Sequence, residues 1–208
     1  MVDCLHYFPQ LTEQQTSQYE ALQGLYEEWN AKINVISRKD IDQLYEHHVL
    51  HSLAVSCYVE EHQLWHEGTT IVDVGCGGGF PGIPLAIRYP HCHFLLVDRI
   101  GKKVRVAQEV ASAIGLTNVD FRHAGIEEVK ETFDYAVSRA VMALPDLVKL
   151  VRRCTQHGLI TLKGGDLTEE LKPKHCQGTI VKPISDYFEE EFFVTKNVLF
   201  TPFAGKKK

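Results

Sequence analysis

The sequence lacks any apolar run long enough to cross a membrane; its longest apolar stretches are short, such as Phe-Leu-Leu-Val at positions 94–97. The first residues include Asp3 and Pro9 and lack the basic start and apolar core of a signal peptide. Both absences predict a soluble, cytoplasmic protein that is not exported and does not associate with membranes.

The cysteines form no Cys-x-x-Cys pair, which argues against a disulfide framework or a zinc ribbon and suits a reducing compartment. His62 and His66 have a four-residue spacing, but no third ligand is evident, so we expect no metal site. The six cysteines, interpreted as reduced thiols, are Cys4, Cys57, Cys76, Cys92, Cys154 and Cys176.

The sequence also lacks an excess of basic residues, because its formal net charge is -5. Phosphate contacts require Lys and Arg, so any surface that binds RNA must be a local basic patch on an acidic body. The 208 residues, 44% of them hydrophobic, suffice for one sizeable core. We expect one structural unit, with a helical extension at 1–67 and the main domain at 68–208.

The hydrophobic pattern changes period near Thr69. Before it, apolar residues at three- and four-residue spacings predict helices over 11–36 and 40–62, the second with Asp40 as a possible cap. After it, strands alternate with helices, which predicts a Rossmann-like α/β fold with a doubly wound, mostly parallel sheet. Two apolar runs, 179–184 and 192–200, predict a C-terminal antiparallel hairpin. The predicted strands of the main sheet are 69–74, 93–98, 119–124, 133–138 and 159–164, and the predicted helices between them are 80–89, 102–114 and 144–154.

A run of glycines directly follows the first of these strands. Gly75, Gly77 and Gly79 let a ligand approach the backbone, and Phe80 ends the run. Asp73, two residues before the first glycine, completes an Asp-x-Gly-x-Gly-x-Gly arrangement typical of methyltransferases that bind S-adenosylmethionine. The glycine spacing also fits a nicotinamide dinucleotide enzyme, and that alternative stays open.

Two further positions follow strand ends, where Rossmann-like sheets bind nucleosides. Asp98 would accept hydrogen bonds from ribose hydroxyls, although it could instead cap the next helix. Ile126 would pack against an adenine ring, with Glu127 beside it, although Glu127 could equally be a helix cap.

The region after the fourth strand limits the acceptor. Ser138 to Val141 replaces the Pro-Pro motif common in enzymes that methylate exocyclic amino groups, and Cys154 is poorly placed for a pyrimidine nucleophile. A ring nitrogen has its own lone pair and needs only orientation, so it remains an attractive acceptor.

Five segments resemble the RsmG (GidB) family of bacterial small-subunit rRNA guanine-N7 methyltransferases. The resemblance implies S-adenosylmethionine as cofactor, small-subunit rRNA or a ribosomal particle as substrate, and guanine 527 in the 530 loop of 16S rRNA as acceptor. It also implies cofactor contacts at Gly75, Phe80, Ile126, Glu127 and Arg139. The resembling segments are EWNAKINVIS at 28–37, HHVLHSL at 47–53, DVGCGGGFPGIPLAI at 73–87, GKKVRVAQEV at 101–110, and SRAV at 138–141 with LKGG at 162–165.

The chain departs from this family at two places. His51 stands where the family usually has Asp, and the basic tail is reduced to Lys206, Lys207 and Lys208. The first departure puts the role of position 51 in doubt. The second leaves more of the RNA affinity to other basic residues.

The predicted RNA-binding residues are His48, Lys102, Lys103, Arg105 and Lys163. Arg139 and Lys163 end neighbouring strands at the ligand-binding edge and are the predicted catalytic residues. For the three residues at 102–105 a solvated helix face is the alternative, and for His48 it is packing between helix and sheet. We expect a monomer; the rival functions are an NAD(P)-dependent oxidoreductase and a non-catalytic RNA- or ribosome-binding protein.

Overall fold

The computed structural model describes residues 3–37 and 40–203. The predictions about the Cys4 thiol and about Lys206, Lys207 and Lys208 lie outside the described parts. Within the described ranges, no helix combines the length and the apolar character that a membrane crossing requires.

The core of the protein is a seven-stranded sheet with the order β3-β2-β1-β4-β5-β7-β6. Strands β1 to β5 are parallel, and β7 runs antiparallel to both β5 and β6. This topology confirms the predicted Rossmann-like fold and its C-terminal antiparallel hairpin. The strands are β1 Thr70–Val74, β2 His93–Asp98, β3 Val119–His123, β4 Phe133–Arg139, β5 Thr155–Gly164, β6 Ile180–Pro183 and β7 Lys196–Pro202.

Helices cover both faces of the sheet because successive strand residues point to opposite sides. In β1, Ile71 joins the buried cluster under α1 to α4, and Val72 joins the cluster under α5. The N-terminal helices α1 and α2 therefore share a core with the sheet. The helices are α1 Glu13–Lys32, α2 His51–Glu61, α3 Gly82–Arg88, α4 Gly101–Ala113, α5 Leu144–Val151 and α6 Thr168–Leu171.

Helix α1 is fixed to the main domain by side chains on its buried face. Its N-terminus has a capping box formed by Thr12 and Gln15. The Tyr19 hydroxyl donates to the Pro84 carbonyl and the Tyr26 hydroxyl to the Gly78 carbonyl, each at 2.7 Å. The second contact connects the N-terminal layer directly to the glycine run.

The predicted helix over 40–62 is not continuous. A 3-10 turn at Ile41–Gln43 and a π-helix at Leu44–Leu50 precede α2. Asp40 makes no capping hydrogen bond with its side chain, which instead lies against His47 and Ser37. The prediction of an Asp40 cap was therefore wrong.

Other boundaries also differ from the prediction. The run at 192–200 is not all strand, because Glu191–Phe193 is a 3-10 turn and β7 begins at Lys196. Helix α5 ends at Val151, three residues early, and β5 begins before Gly158, at Thr155. Gly158 fits within β5 because its missing side chain leaves space for Phe200 of β7.

Candidate active site

The glycine turn after β1 requires a backbone that L-residues rarely adopt. Gly75, Gly77 and Gly79 have φ of 69°, 55° and 111°. A Cβ at Gly77 would meet no atom within 4 Å, so this glycine faces open space. The turn therefore presents bare backbone to a cleft, as cofactor binding requires.

Asp73 lies fully buried beneath this turn. Its Oδ2 accepts a hydrogen bond of 2.8 Å from the Gly82 amide, whereas its Oδ1 has no partner among residues 3–37 and 40–203. Burial raises the pKa of this carboxyl to about 7. A buried carboxylate oxygen without a partner suits a positively charged ligand such as S-adenosylmethionine.

Asp98 is at the carboxyl end of β2, beside the same turn. Its Oδ2 accepts from the Gly77 amide at 2.9 Å and its Oδ1 from the Ile100 amide at 2.8 Å. It does not cap α4, which has Ile100 at its N-cap position. The carboxylate thus holds the glycine turn and lines the cavities on both sides of it.

The first cavity, of about 300 Å³, lies over the ends of β1, β2 and β3. Asp98, Ile126 and Glu127 line it together with Val141, whose side chain covers Gly75. Glu127 pairs with Arg99, and Glu128 rather than Glu127 accepts from the Gly125 amide, so the capping alternative for Glu127 was wrong. These residues would hold the adenosine part of the cofactor.

A second cavity of about 340 Å³ lies on the other side of the turn. Its lining includes Gly75, Gly77 and Phe80 from the turn, together with Lys103 and Arg139. Asp98 and Val141 line both cavities, so the two form one cleft along the strand ends. The bare glycine turn and the partnerless oxygen of Asp73 beneath it fit S-adenosylmethionine, which this cleft would hold.

Arg139 forms the wall of this cleft. One terminal nitrogen of its guanidinium donates to the His47 carbonyl at 3.0 Å, and the other lies 2.8 Å from His48 Nδ1. Burial lowers the pKa of Arg139 to about 10 and that of His48 to about 3. His48 is therefore neutral at pH 7, and its Nδ1 accepts from Arg139. The guanidinium also lies over the Phe80 ring, 5.2 Å from its centroid.

Lys163 lies near Arg139, but its ammonium is already bonded to two groups of the protein. Its ammonium donates to the Met142 carbonyl at 2.7 Å and to the Glu170 carboxylate at 2.6 Å. Burial acts to raise the pKa of Glu170, but hydrogen bonds from Lys163 and the Leu144 amide lower it overall. Lys163 thereby holds the loop at 140–142, which includes Ala140 at a φ of 53°.

The predicted basic patch is divided by the structure. Lys103 lines the cofactor cleft and Lys102 is exposed on the same first turn of α4. Arg105 lines a separate cavity against β3 and lies 3.9 Å from Glu109, so it is not near Arg139. Helical spacing explains the separation, because positions 103 and 105 point about 200° apart.

Sequence reasoning missed Tyr26 and Val141 as residues of the site and left the role of His51 in doubt. Tyr26 holds the glycine turn, Val141 covers Gly75, and His51 is buried with an Nε2 atom that has no partner in the described chain. Burial lowers the pKa of His51 well below its ordinary value, so it is a neutral side chain. Its only sequence signal was the departure from the family pattern.

No group of three or more His, Cys, Asp or Glu side chains that could hold a metal ion occurs in the part of the chain that the structure describes. The described cysteines Cys57, Cys76, Cys92, Cys154 and Cys176 are free thiols. Burial raises the pKa of Cys154, as expected for an unreactive thiol.

Comparison with known proteins matches residues 14–191 to the family described as rRNA small subunit methyltransferase G, GidB. The Ribosomal RNA small subunit methyltransferase G of Bacteroides thetaiotaomicron is 56% identical over 206 residues, covering 95% of this chain and 97% of that protein.

Solved structures share the fold at low identity. Magnesium protoporphyrin IX methyltransferase of Synechocystis PCC 6803, crystallised with bound SAM, has a TM-score of 0.58 at 15% identity over 94% of this chain and 99% of that one. A SAM-dependent methyltransferase of Aquifex aeolicus has a TM-score of 0.55 at 17% identity, covering 81% of this chain and 100% of that one. These similarities concern the fold alone.

Proposed function

Because the chain belongs to the rRNA small subunit methyltransferase G family, we propose that it methylates N7 of one guanosine in small-subunit ribosomal RNA. Membership confirms the predicted function class, an rRNA methyltransferase that uses S-adenosylmethionine, and favours it over both rival functions. The proposed acceptor is guanine 527 in the 530 loop of 16S rRNA, by family resemblance.

The observation that carries the chemical part of the proposal is the composition of the cleft. It offers a glycine turn, with Asp73 buried beneath it, and a cationic Arg139. Cys154 is a buried thiol outside the lining of the cleft, and Ser138 to Val141 provides no Pro-Pro motif. The sulfonium cofactor supplies an activated methyl group. A guanine N7 lone pair can form the new N–C bond as the methyl–sulfur bond breaks, and no proton leaves the acceptor nitrogen.

The chain's own residues then have to bind and orient the reactants. Asp98, Ile126 and Glu127 would hold the adenosine, and Asp73 the charged part of the cofactor. Arg139 would fix the boundary between cofactor and acceptor through His47 and His48. Lys163, paired with Glu170, would act as a positioning residue for the loop at 140–142. We further propose that the chain acts as a monomer in the cytoplasm.

The test is chemical mapping of 7-methylguanosine. Small-subunit rRNA from cells with and without the gene is treated with borohydride and aniline, which cleave at this nucleotide. We expect one cleavage in wild-type RNA, its loss on deletion and its restoration by the purified protein on ribosomal particles. An unchanged cleavage pattern would exclude the N7 assignment, and mass spectrometry of the same RNA would show whether another position loses a methyl group.

A further inference from the structure

A third cavity, of about 400 Å³, adjoins the cofactor cleft, and Arg139 is the one predicted cofactor contact among the residues that line it. It shares His48, Arg139 and Ala140 with that cleft. Methyl transfer needs the acceptor atom in line with the sulfonium, so the acceptor must enter from a cavity that shares a wall with the cofactor. This cavity meets that requirement.

One residue that lines this cavity has an unsatisfied polar atom. His51 lines it, is only 7% exposed, and its Nε2 has no hydrogen-bond partner in the described chain. A buried polar atom is costly when unpaired, so a ligand with a complementary group would bind there favourably. A guanine base offers ring nitrogens and an exocyclic oxygen to such a group.

An aromatic pair forms one side of the cavity. The rings of His47 and Phe192 stack with centroids 4.0 Å apart and an interplanar angle of 16°. The Lys196 ammonium lies over the Phe192 ring, 4.8 Å from its centroid. No carboxylate of the described residues is within ion-pair distance of Lys196, which sets it apart from Lys163 and its partner Glu170.

We propose that this cavity binds the acceptor nucleotide, with the base stacked on Phe192 and its phosphate paired with Lys196. The inference rests on the proposed function. The flexible lysine leaves the ring face when the base arrives, and the ammonium exchanges a weak cation–π contact for a phosphate. Unpaired RNA bases are commonly bound in this way, by aromatic stacking and nearby cations.

Phe192 and Lys196 are tested by kinetics on small-subunit ribosomal particles, with S-adenosylmethionine affinity measured separately by calorimetry. Phe192→Leu should raise KM for the particle at least about fivefold, the lower bound for loss of one stacked base, while cofactor affinity changes less than twofold. Phe192→Trp should keep KM near the wild-type value, because the indole ring can still stack on the base. A purely structural role of Phe192 would not predict this difference between Leu and Trp. Lys196→Gln should raise KM and lower its salt dependence, whereas Lys174→Gln, an exposed lysine near α5, should change neither.

A readout that does not need activity comes from a photoreactive benzoylphenylalanine placed at position 192. We expect its cross-link in small-subunit rRNA to fall next to the methylated nucleotide. Unchanged KM in both Phe192→Leu and Lys196→Gln, or cross-links distant from that nucleotide, would overturn the cavity assignment. If the wild-type protein methylates no rRNA but cross-links at one site, the proposed function fails and the nucleotide-binding cavity stands.

Discussion

At the scale of single residues, Gly77 allows a matched test of cofactor binding. Gly77 and Gly115 both have positive φ, 55° and 70°, and both face open space. Gly77→Ala and Gly115→Ala should therefore each lower the free energy of unfolding by about 1 kcal/mol. Only Gly77→Ala should weaken the binding of S-adenosylmethionine, by at least about tenfold, because the methyl group of the new alanine enters the cleft. Equal cofactor affinity of the two variants in calorimetry would contradict the placement of the cofactor.

Asp73 should couple cofactor binding to proton release. Burial raises its pKa to about 7, so below pH 7 the free protein carries a largely protonated carboxyl. A cationic ligand favours the carboxylate and lowers this pKa, so affinity should rise from pH 6 to 7.5. Calorimetry at pH 6.5 in buffers of different ionisation enthalpy should detect a fraction of one proton released. Asp73→Asn should bind more weakly and release none; the same release in both proteins would assign the proton to another group.

Arg139 is the residue whose replacement should affect catalysis most directly. Arg139→Ala should lower turnover at least about tenfold, since one positioned charge at a reacting centre contributes at least about 1.4 kcal/mol. Arg139→Lys should not rescue it, because one ammonium cannot reproduce the planar contacts to the His47 carbonyl and His48 Nδ1. Arg105→Ala, outside the cleft, is the control, and near wild-type turnover of Arg139→Ala would remove Arg139 from the mechanism.

At the scale of elements, α1 connects the N-terminal layer to the cofactor site through Tyr26. Tyr19→Phe and Tyr26→Phe each remove one buried hydroxyl bonded to a carbonyl, at Pro84 and Gly78. Both should lower the free energy of unfolding by about 1 kcal/mol. Only Tyr26→Phe should also weaken the binding of S-adenosylmethionine several-fold, because the Gly78 carbonyl that Tyr26 contacts belongs to the glycine turn. If both variants bind the cofactor like the wild type, α1 contributes to stability alone.

The elements that could be predicted are those whose pattern repeats. The buried parallel strands and the glycine turn were predicted because apolar runs and glycines are local signals. The π-helix at Leu44–Leu50 was missed, although the buried Leu44 and Val49 are five residues apart, the spacing of its hydrogen bonds. Phe192 was assigned to a strand because its neighbours are apolar; its place beside His47 depends on contacts 145 positions apart in sequence, which no periodicity contains.

At the scale of the whole molecule, RNA affinity should depend only moderately on salt. The chain has a net charge of -5, Arg139 and Lys163 bond to groups of the protein, and Arg105 lies away from the cleft. Of the basic residues around the cleft, Lys102, Lys103 and Lys196 remain to contact phosphates. At about 0.7 per neutralised phosphate on unpaired RNA, these three predict a slope of log affinity against log salt of about −2.

The measurement is the dissociation constant for small-subunit RNA between 50 and 200 mM salt, in the full chain and in a variant with Lys206, Lys207 and Lys208 replaced by Gln. The variant isolates the contribution of the three lysines around the cleft. Lys102→Gln should make its slope shallower by about 0.7, and Arg105→Gln should leave the slope unchanged. A slope near −5 in this variant would mean that other basic residues meet phosphates, and the RNA would then cross a wider surface than the mouth of the cleft.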